Sequence, residues 1–153
     1  MKIVRATEKD MPTVRDLFLE YQAWLGVDLC FQNFEEELAT LPGSYSPPTG
    51  AIFLAVENSD MIGCIGIRPR VSGEAELKRL YVRPSHQGAG TGKKLFLTAM
   101  SETKAMGYAS IVLDTLPAMQ TAKSIYVNYG FKQIPAYYEN PKNGVEYYRY
   151  VFS

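Results

Sequence analysis

The chain has 153 residues, of which 46% are hydrophobic and 21% charged, and its formal net charge is zero. This length suits one domain, residues 1–153. Zero net charge argues against a nucleic-acid partner, and the longest apolar runs, 51–56 and 61–67, are too short to span a membrane. Glu8 and Asp10 near the start are not followed by an apolar stretch, so we expect no secretory leader and a cytoplasmic location.

Hydrophobic periodicity and turn residues predict alternating strands and helices. In chain order these are a strand at 2–6, helices at 11–25 and 35–41, strands at 51–57, 61–68 and 74–82, a helix at 89–106, a strand at 109–115, a helix at 119–129, and strands at 131–138 and 145–152. The strands at 51–57 and 61–68 are joined by Asn58, Ser59 and Asp60, which predicts an antiparallel hairpin. The order of elements predicts an α/β (α+β) protein, with a mixed sheet and helices on its faces.

Charge is unevenly distributed along the chain. Residues 16–67 contain no lysine or arginine, and residues 77–101 contain no acid but five basic side chains. The first stretch suits a cationic ligand and the second an anionic one, while the alternative for both is an ordinary solvated surface.

The turn before the helix at 89–106 has glycine at alternate positions 88, 90 and 92. Glycine lets the backbone turn sharply and approach a ligand closely. The unpaired N–H groups of a first helical turn, together with the helix dipole, attract an anion, and Lys93 adds positive charge. The sequence therefore predicts a phosphate-binding turn. Lys94 does not fit a Walker loop, and the glycine spacing does not fit a dinucleotide fingerprint.

Two segments resemble motifs of the GNAT superfamily of N-acetyltransferases. Gln87-Gly88-Ala89-Gly90-Thr91-Gly92, just after the strand that ends in Leu80-Tyr81-Val82, is similar to the family's acetyl-CoA motif. Ala122–Phe131 is similar to the later motif, a helix with Ala-x-x-φ-Tyr that ends in Gly-Phe. The resemblance runs from about residue 74 to residue 131.

This resemblance implies the GNAT fold, with a mixed, mostly antiparallel central sheet of six to seven strands flanked by about four helices. It also implies an acetyl-CoA-dependent N-acetyltransferase in which main-chain amides of the turn hold the CoA pyrophosphate and the preceding strand binds the pantetheine arm. The implied cofactor-binding residues are Leu80, Tyr81, Val82, Gln87, Gly88, Ala89, Gly90, Thr91, Gly92 and Lys93.

Acetyl transfer needs an acid for the leaving CoA thiolate and a way to deprotonate the amine. Tyr126 occupies the family position of the acid; its alternative is a tyrosine that only packs. Glu76 lies where many members place a general base; the alternatives are a surface glutamate, Glu74, Asp114, or no base at all. His86 is the chain's one histidine and is expected at the surface or near phosphate, and no metal site is expected.

The family places the acceptor between its N-terminal helices and its C-terminal strands. Here that implies Phe31 and Glu35 on one side and Tyr137 and Tyr138 on the other. Carboxylates and aromatic faces suit a cationic amine, so we expect transfer to a primary amine of a small molecule. A protein or peptide N-acetyltransferase with an open groove and a non-catalytic CoA-binding module are the alternatives. The C-terminal tyrosines suit either the core or a contact between subunits, so a homodimer stays an alternative.

Overall fold

The computed structural model describes residues 1–26, 29, 33–140, 142 and 144–153. Within these residues the chain forms four α-helices and seven strands. The helices are α1 (Met11–Leu25), α2 (Phe34–Ala39), α3 (Thr91–Ala105) and α4 (Gln120–Tyr129). The strands are β1 (Lys2–Arg5), β2 (Ala51–Glu57), β3 (Asp60–Val71), β4 (Glu74–Val82), β5 (Ser110–Thr115), β6 (Lys132–Ile134) and β7 (Glu146–Val151).

The strands form one sheet in the order β1-β2-β3-β4-β5-β7-β6. β4 and β5 run parallel, and the other neighbouring strands run antiparallel. α1 and α2 cover one face through a core that includes Phe18 and Phe34, and α3 and α4 cover the other through Phe96 and Tyr126. The predicted fold class is confirmed: a mostly antiparallel sheet carries helices on both faces.

Most predicted boundaries differ from the structure by one to four residues, and three of the differences have a clear local reason. Asn58 and Ser59 have φ angles of 50° and 69°, so the hairpin closes through a two-residue turn and β3 begins at Asp60. α3 begins at Thr91 rather than at 89, because Gly90 has a left-handed φ of 83°. The strand predicted at 131–138 ends at Ile134, since the next residue is Pro135, which cannot donate to a strand ladder.

β4 and β5 pair over only the first part of their length. Glu74, Ala75 and Glu76 have partners on β5, and the rest of β4 has none there. Arg79, with a φ of 62°, lies where the register between β3 and β4 shifts, which marks a bulge. The carboxyl ends of the two parallel strands therefore separate, and such a crevice is where open sheets bind ligands.

Candidate active site

A groove of about 480 Å³ lies at the carboxyl end of β4, between the turn into α3 and the start of α4. It is lined by nearly all of the predicted cofactor-binding residues, the exception being Ala89, whose main chain belongs to the same turn. Those that line it are Leu80, Tyr81, Val82, Gln87, Gly88, Gly90, Thr91, Gly92 and Lys93. The fold thus brings the two halves of the predicted cofactor motif, strand and turn, onto one surface.

The turn presents unpaired hydrogen-bond donors to the groove. None of the main-chain N–H groups of residues 88–93 donates to an acceptor in the part of the chain that the structure describes. Gly88 and Gly90 have φ angles of 88° and 83°, which turn these amides in a way that other residues rarely allow. Gln87 donates from Nε2 to the Val82 carbonyl at 2.8 Å and so fixes the turn to the strand. Donors of this kind at a helix N-terminus, beside Lys93, fit a pyrophosphate group.

Trp24, near the end of α1, forms a wall of the groove that the sequence analysis did not identify. Its side chain is 45% exposed, and its ring centroid lies 5.7 Å from that of Tyr81. No motif marks it, because its position depends on how α1 packs across the sheet. The sequence shows only a large apolar residue near a helix end; that it is exposed, as a residue at a binding surface can be, becomes clear from the structure.

A second, much smaller cavity of about 30 Å³ lies in the crevice between β4 and β5. Leu80 and Met119 line both this crevice cavity and the groove, so the two spaces adjoin. Tyr126 lines the crevice cavity, with its ring packed against Phe96 and Phe131 at 5.5 and 5.9 Å between centroids. Its hydroxyl makes no hydrogen bond with the described residues. Burial raises the pKa of Tyr126 above its ordinary value, so the phenol keeps its proton.

Glu76 is buried on β4 and already has hydrogen-bond partners. Its Oε1 accepts from Arg68 Nε at 2.9 Å, and its Oε2 accepts from the Tyr137 hydroxyl at 2.7 Å. It lines neither the groove nor the crevice cavity. The alternative Glu74 is the first residue of β4, and its Oε2 accepts from Arg149 Nε at 2.7 Å.

Asp114, by contrast, lines the crevice cavity. Its Oδ2 accepts from the Tyr138 hydroxyl at 2.6 Å, and its Oδ1 lies 3.2 Å from Lys78 Nζ. Burial opposes the carboxylate charge, but Lys78 and Tyr138 outweigh it and hold the pKa of Asp114 below its ordinary value. Asp114 is therefore ionised and paired.

The predicted acceptor residues have different surroundings. Tyr137 and Tyr138 form a tyrosine cluster with Tyr147, with ring centroids 5.3 to 5.7 Å apart, and their hydroxyls contact the Glu76 and Asp114 carboxylates. Glu35 is exposed on α2 and lines neither cavity, so its role stays a prediction. Phe31 lies outside the described residues.

Glu37, which sequence reasoning missed, is the α2 glutamate that faces inward. Its Oε1 and Oε2 accept from Arg79 at 2.9 and 3.0 Å. It lies three residues after the buried Phe34 and so shares its helix face, a spacing that could have separated it from Glu35.

His86 lies at the rim of the groove, with Nε2 3.4 Å from Glu57, which agrees with the expected surface position. No group of three or more metal-binding side chains occurs in the described ranges. Among the described residues, no helix has the length and apolar character needed to cross a membrane.

Comparison with known proteins identifies the family. Residues 48–133 match the family model described as an acetyltransferase (GNAT) domain. An uncharacterised N-acetyltransferase of Schizosaccharomyces pombe is 37% identical over 147 residues, covering 95% of this chain and 90% of the relative.

Solved structures share the fold. A GNAT-family acetyltransferase of Staphylococcus aureus superposes with a TM-score of 0.78 at 21% identity, covering 97% of this chain and 96% of that one. The PaiA N-acetyltransferase of Thermoplasma acidophilum, solved in complex with coenzyme A, superposes with a TM-score of 0.75 at 22% identity, covering 99% and 98%. The family-model match and the Schizosaccharomyces pombe relative together show that the chain belongs to the GNAT superfamily of acetyl-CoA-dependent N-acetyltransferases.

Proposed function

We propose that residues 1–153 act as one domain that transfers acetyl directly from acetyl-CoA to a primary amine of a small molecule. The observation that carries this proposal is the row of unpaired amides at 88–93, beside a cavity that the Tyr126 phenol lines. Bound acetyl-CoA would supply the acetyl group as a thioester.

The groove residues have distinct parts in holding the cofactor. The amides of residues 88–93 and the Lys93 ammonium would bind the pyrophosphate, because they combine free donors with positive charge. The main chain of Leu80, Tyr81 and Val82 would bind the pantetheine arm, since this part of β4 has no partner on β5. The thioester would then lie toward the crevice cavity that adjoins the groove at Leu80 and Met119.

Tyr126 is proposed as the general acid. Its phenol is buried, protonated and at the crevice cavity, where it can donate a proton to the leaving sulfur. The same apolar surroundings that raise the pKa of the phenol also raise the basicity of a thiolate, so the two remain matched. Glu76 stays a predicted base: to act on the acceptor, it would have to exchange its hydrogen bond from Tyr137 for one from the amine.

The acceptor side favours a small amine over a protein. The Tyr137 and Tyr138 hydroxyls donate to the Glu76 and Asp114 carboxylates. We expect these rings to restrict access from that side, whereas a peptide substrate needs an open groove. A cationic amine suits these aromatic faces and carboxylates. Phe31 and Glu35 remain predicted contacts from the other side.

The direct test is a screen of small amines for acetyl-CoA-dependent release of free thiol, with a lysine-containing peptide as the comparison. We expect turnover with at least one small amine and slower turnover with the peptide. Faster turnover with the peptide would replace this proposal with the protein-acetyltransferase alternative.

Cofactor binding is measured separately by thermal unfolding. Acetyl-CoA at a hundred times its Kd is expected to raise the Tm by about 5–10 °C. No shift with millimolar acetyl-CoA would contradict the assigned cofactor site.

Trp24 offers an independent readout, because it is the only tryptophan in the sequence and lines the proposed CoA groove. Titration with CoA is expected to change its fluorescence in a saturable way, since ligand replaces water around a half-exposed indole. Excitation at the red edge of the indole band avoids adenine absorption, and free N-acetyltryptophanamide controls for attenuation. Unchanged emission while calorimetry reports binding would show that CoA does not contact α1.

A further inference from the structure

Lys78 is a buried lysine at the centre of the proposed site, and the mechanism above does not use it. Its side chain is 4% exposed and lines the crevice cavity together with Tyr126 and Asp114. Nζ lies 3.2 Å from Asp114 Oδ1 and 3.9 Å from Glu76 Oε2. Lysine is almost never this deeply buried unless it is paired, and Asp114 supplies that pairing here. Lys78 is a candidate for a further role because it also lines a cavity shared with Tyr126.

Every element around Lys78 contributes charged or titratable groups. They are Glu76 and Arg79 on β4 itself, Asp114 on β5, Arg68 on β3, Tyr21 on α1, Tyr126 on α4 and Tyr138 after β6. Arg68 pairs with Glu37 and Glu76, and Arg79 pairs with Glu37. Lys78 depends on Asp114 for its closest ion pair, and Asp114 also accepts the hydrogen bond from Tyr138.

These surroundings make Lys78 easier to deprotonate than a solvent-exposed lysine. Burial lowers the pKa of Lys78 from its ordinary value; Asp114 opposes this change, and Arg79 adds to it. A lysine with a lowered pKa is a better general base near neutral pH than a carboxylate, because its proton affinity is closer to that of the medium. Lys78 also faces the crevice cavity, which Glu76 does not.

We propose that the neutral amine of Lys78, rather than a carboxylate, accepts the proton that the acceptor ammonium releases before it attacks. This inference rests on the proposed acetyl transfer. One N–H bond of the acceptor breaks and one forms at Lys78 Nζ; the freed lone pair forms the C–N bond as the thioester C–S bond breaks. Tyr126 protonates the sulfur and regains a proton from the new amide nitrogen, and Lys78 later releases its proton to water. Asp114, 3.2 Å away, stabilises the Lys78 cation in between.

The first test needs neither cofactor nor acceptor. In protein labelled with carbon-13 at lysine Cε, the Lys78 resonance is assigned through bonds and checked by its loss in Lys78→Arg. It is expected to titrate clearly below the ordinary lysine value of about 10.4. Titration at or above that value would overturn the proposal, whether or not an acceptor has been found.

The second test compares Lys78→Arg with Glu76→Gln by steady-state kinetics across pH. Arginine keeps the positive charge beside Asp114 but cannot lose its proton, so kcat is expected to fall about 10²-fold or more. In the wild type, kcat/KM should fall as the pH drops through the pKa of Lys78, because the base becomes charged. This inflection should be absent from the pH profile of Lys78→Arg and present in that of Glu76→Gln. Lys123→Arg, at the half-buried pair with Glu146, is the matched control.

The outcomes separate the two proposals. A Lys78→Arg enzyme within threefold of wild type with an unchanged pH profile would reduce Lys78 to a structural ion pair and leave acetyl transfer intact. Loss of the inflection in Glu76→Gln alone would assign the base to Glu76 instead. If no amine is acetylated by the wild type, the proposed function fails, and the Lys78 titration still decides whether this lysine can act as a base.

Discussion

Gly90→Val is expected to abolish acetyl-CoA binding while leaving the chain folded. Gly90 has a φ of 83°, which valine reaches only with strain, and no protein atom lies within 4 Å of the position its Cβ would take. The valine side chain would therefore occupy open groove in front of the amides that are proposed to hold pyrophosphate. Calorimetric titration should show no saturable heat at millimolar acetyl-CoA.

Gly107→Val separates loss of binding from loss of stability. Gly107 follows the opposite end of α3, has a φ of 92°, and likewise has no atom within 4 Å of a built Cβ. Both substitutions should cost about 1–3 kcal/mol of unfolding free energy through backbone strain. Only the change at Gly90 should remove binding. A Gly90→Val protein that binds acetyl-CoA as the wild type does would refute the assignment of the turn.

Tyr126→Phe is expected to lower kcat by about 10²-fold or more, with the Kd for CoA nearly unchanged. The substitution removes the proposed proton donor and keeps the ring that packs against Phe96 and Phe131. Because the hydroxyl makes no hydrogen bond with the described residues, its removal should cost little stability. Single-turnover kinetics and Trp24 fluorescence measure chemistry and binding separately.

Tyr129→Phe is the control for this change. It deletes the same atom from the same helix, at a ring that packs against Phe96 and Tyr150 and lines neither cavity. Its kcat should stay near that of the wild type. Equal losses of turnover and CoA affinity in Tyr126→Phe would instead indicate that Tyr126 only packs.

The features predicted well from sequence were those encoded locally. β4 has the predicted bounds because Gly73 and Pro84 flank a stretch in which charged and apolar residues are interleaved, and the turn at 88–92 is marked by its own glycines. The helix that carries Tyr126 ends before Gly130, the glycine that the sequence marks as its stop. Each of these signals lies within a few residues of the feature it determines.

The contacts that could not be predicted join distant parts of the chain. Glu37 and Arg79 are 42 positions apart, and Tyr138 reaches Asp114 across 24. From sequence, the acid-rich stretch at 16–67 and the basic stretch at 77–101 suit a cationic and an anionic ligand, whereas Glu37 of the first stretch pairs with Arg79 of the second. That pairing depends on how α2 and the chain after β6 lie on the sheet, which side-chain packing sets.

The extra residue at Arg79 reverses the alternation of side chains along β4. Before it, Leu77 points into the core beneath α3; after it, Tyr81 points toward α1 and Val82 toward α3. On the proposed function, the first half of β4 serves proton transfer and the second half binds the cofactor. Substitutions in the first half should then change the acceptor preference and leave cofactor binding intact, whereas a one-residue deletion at the bulge should disrupt both.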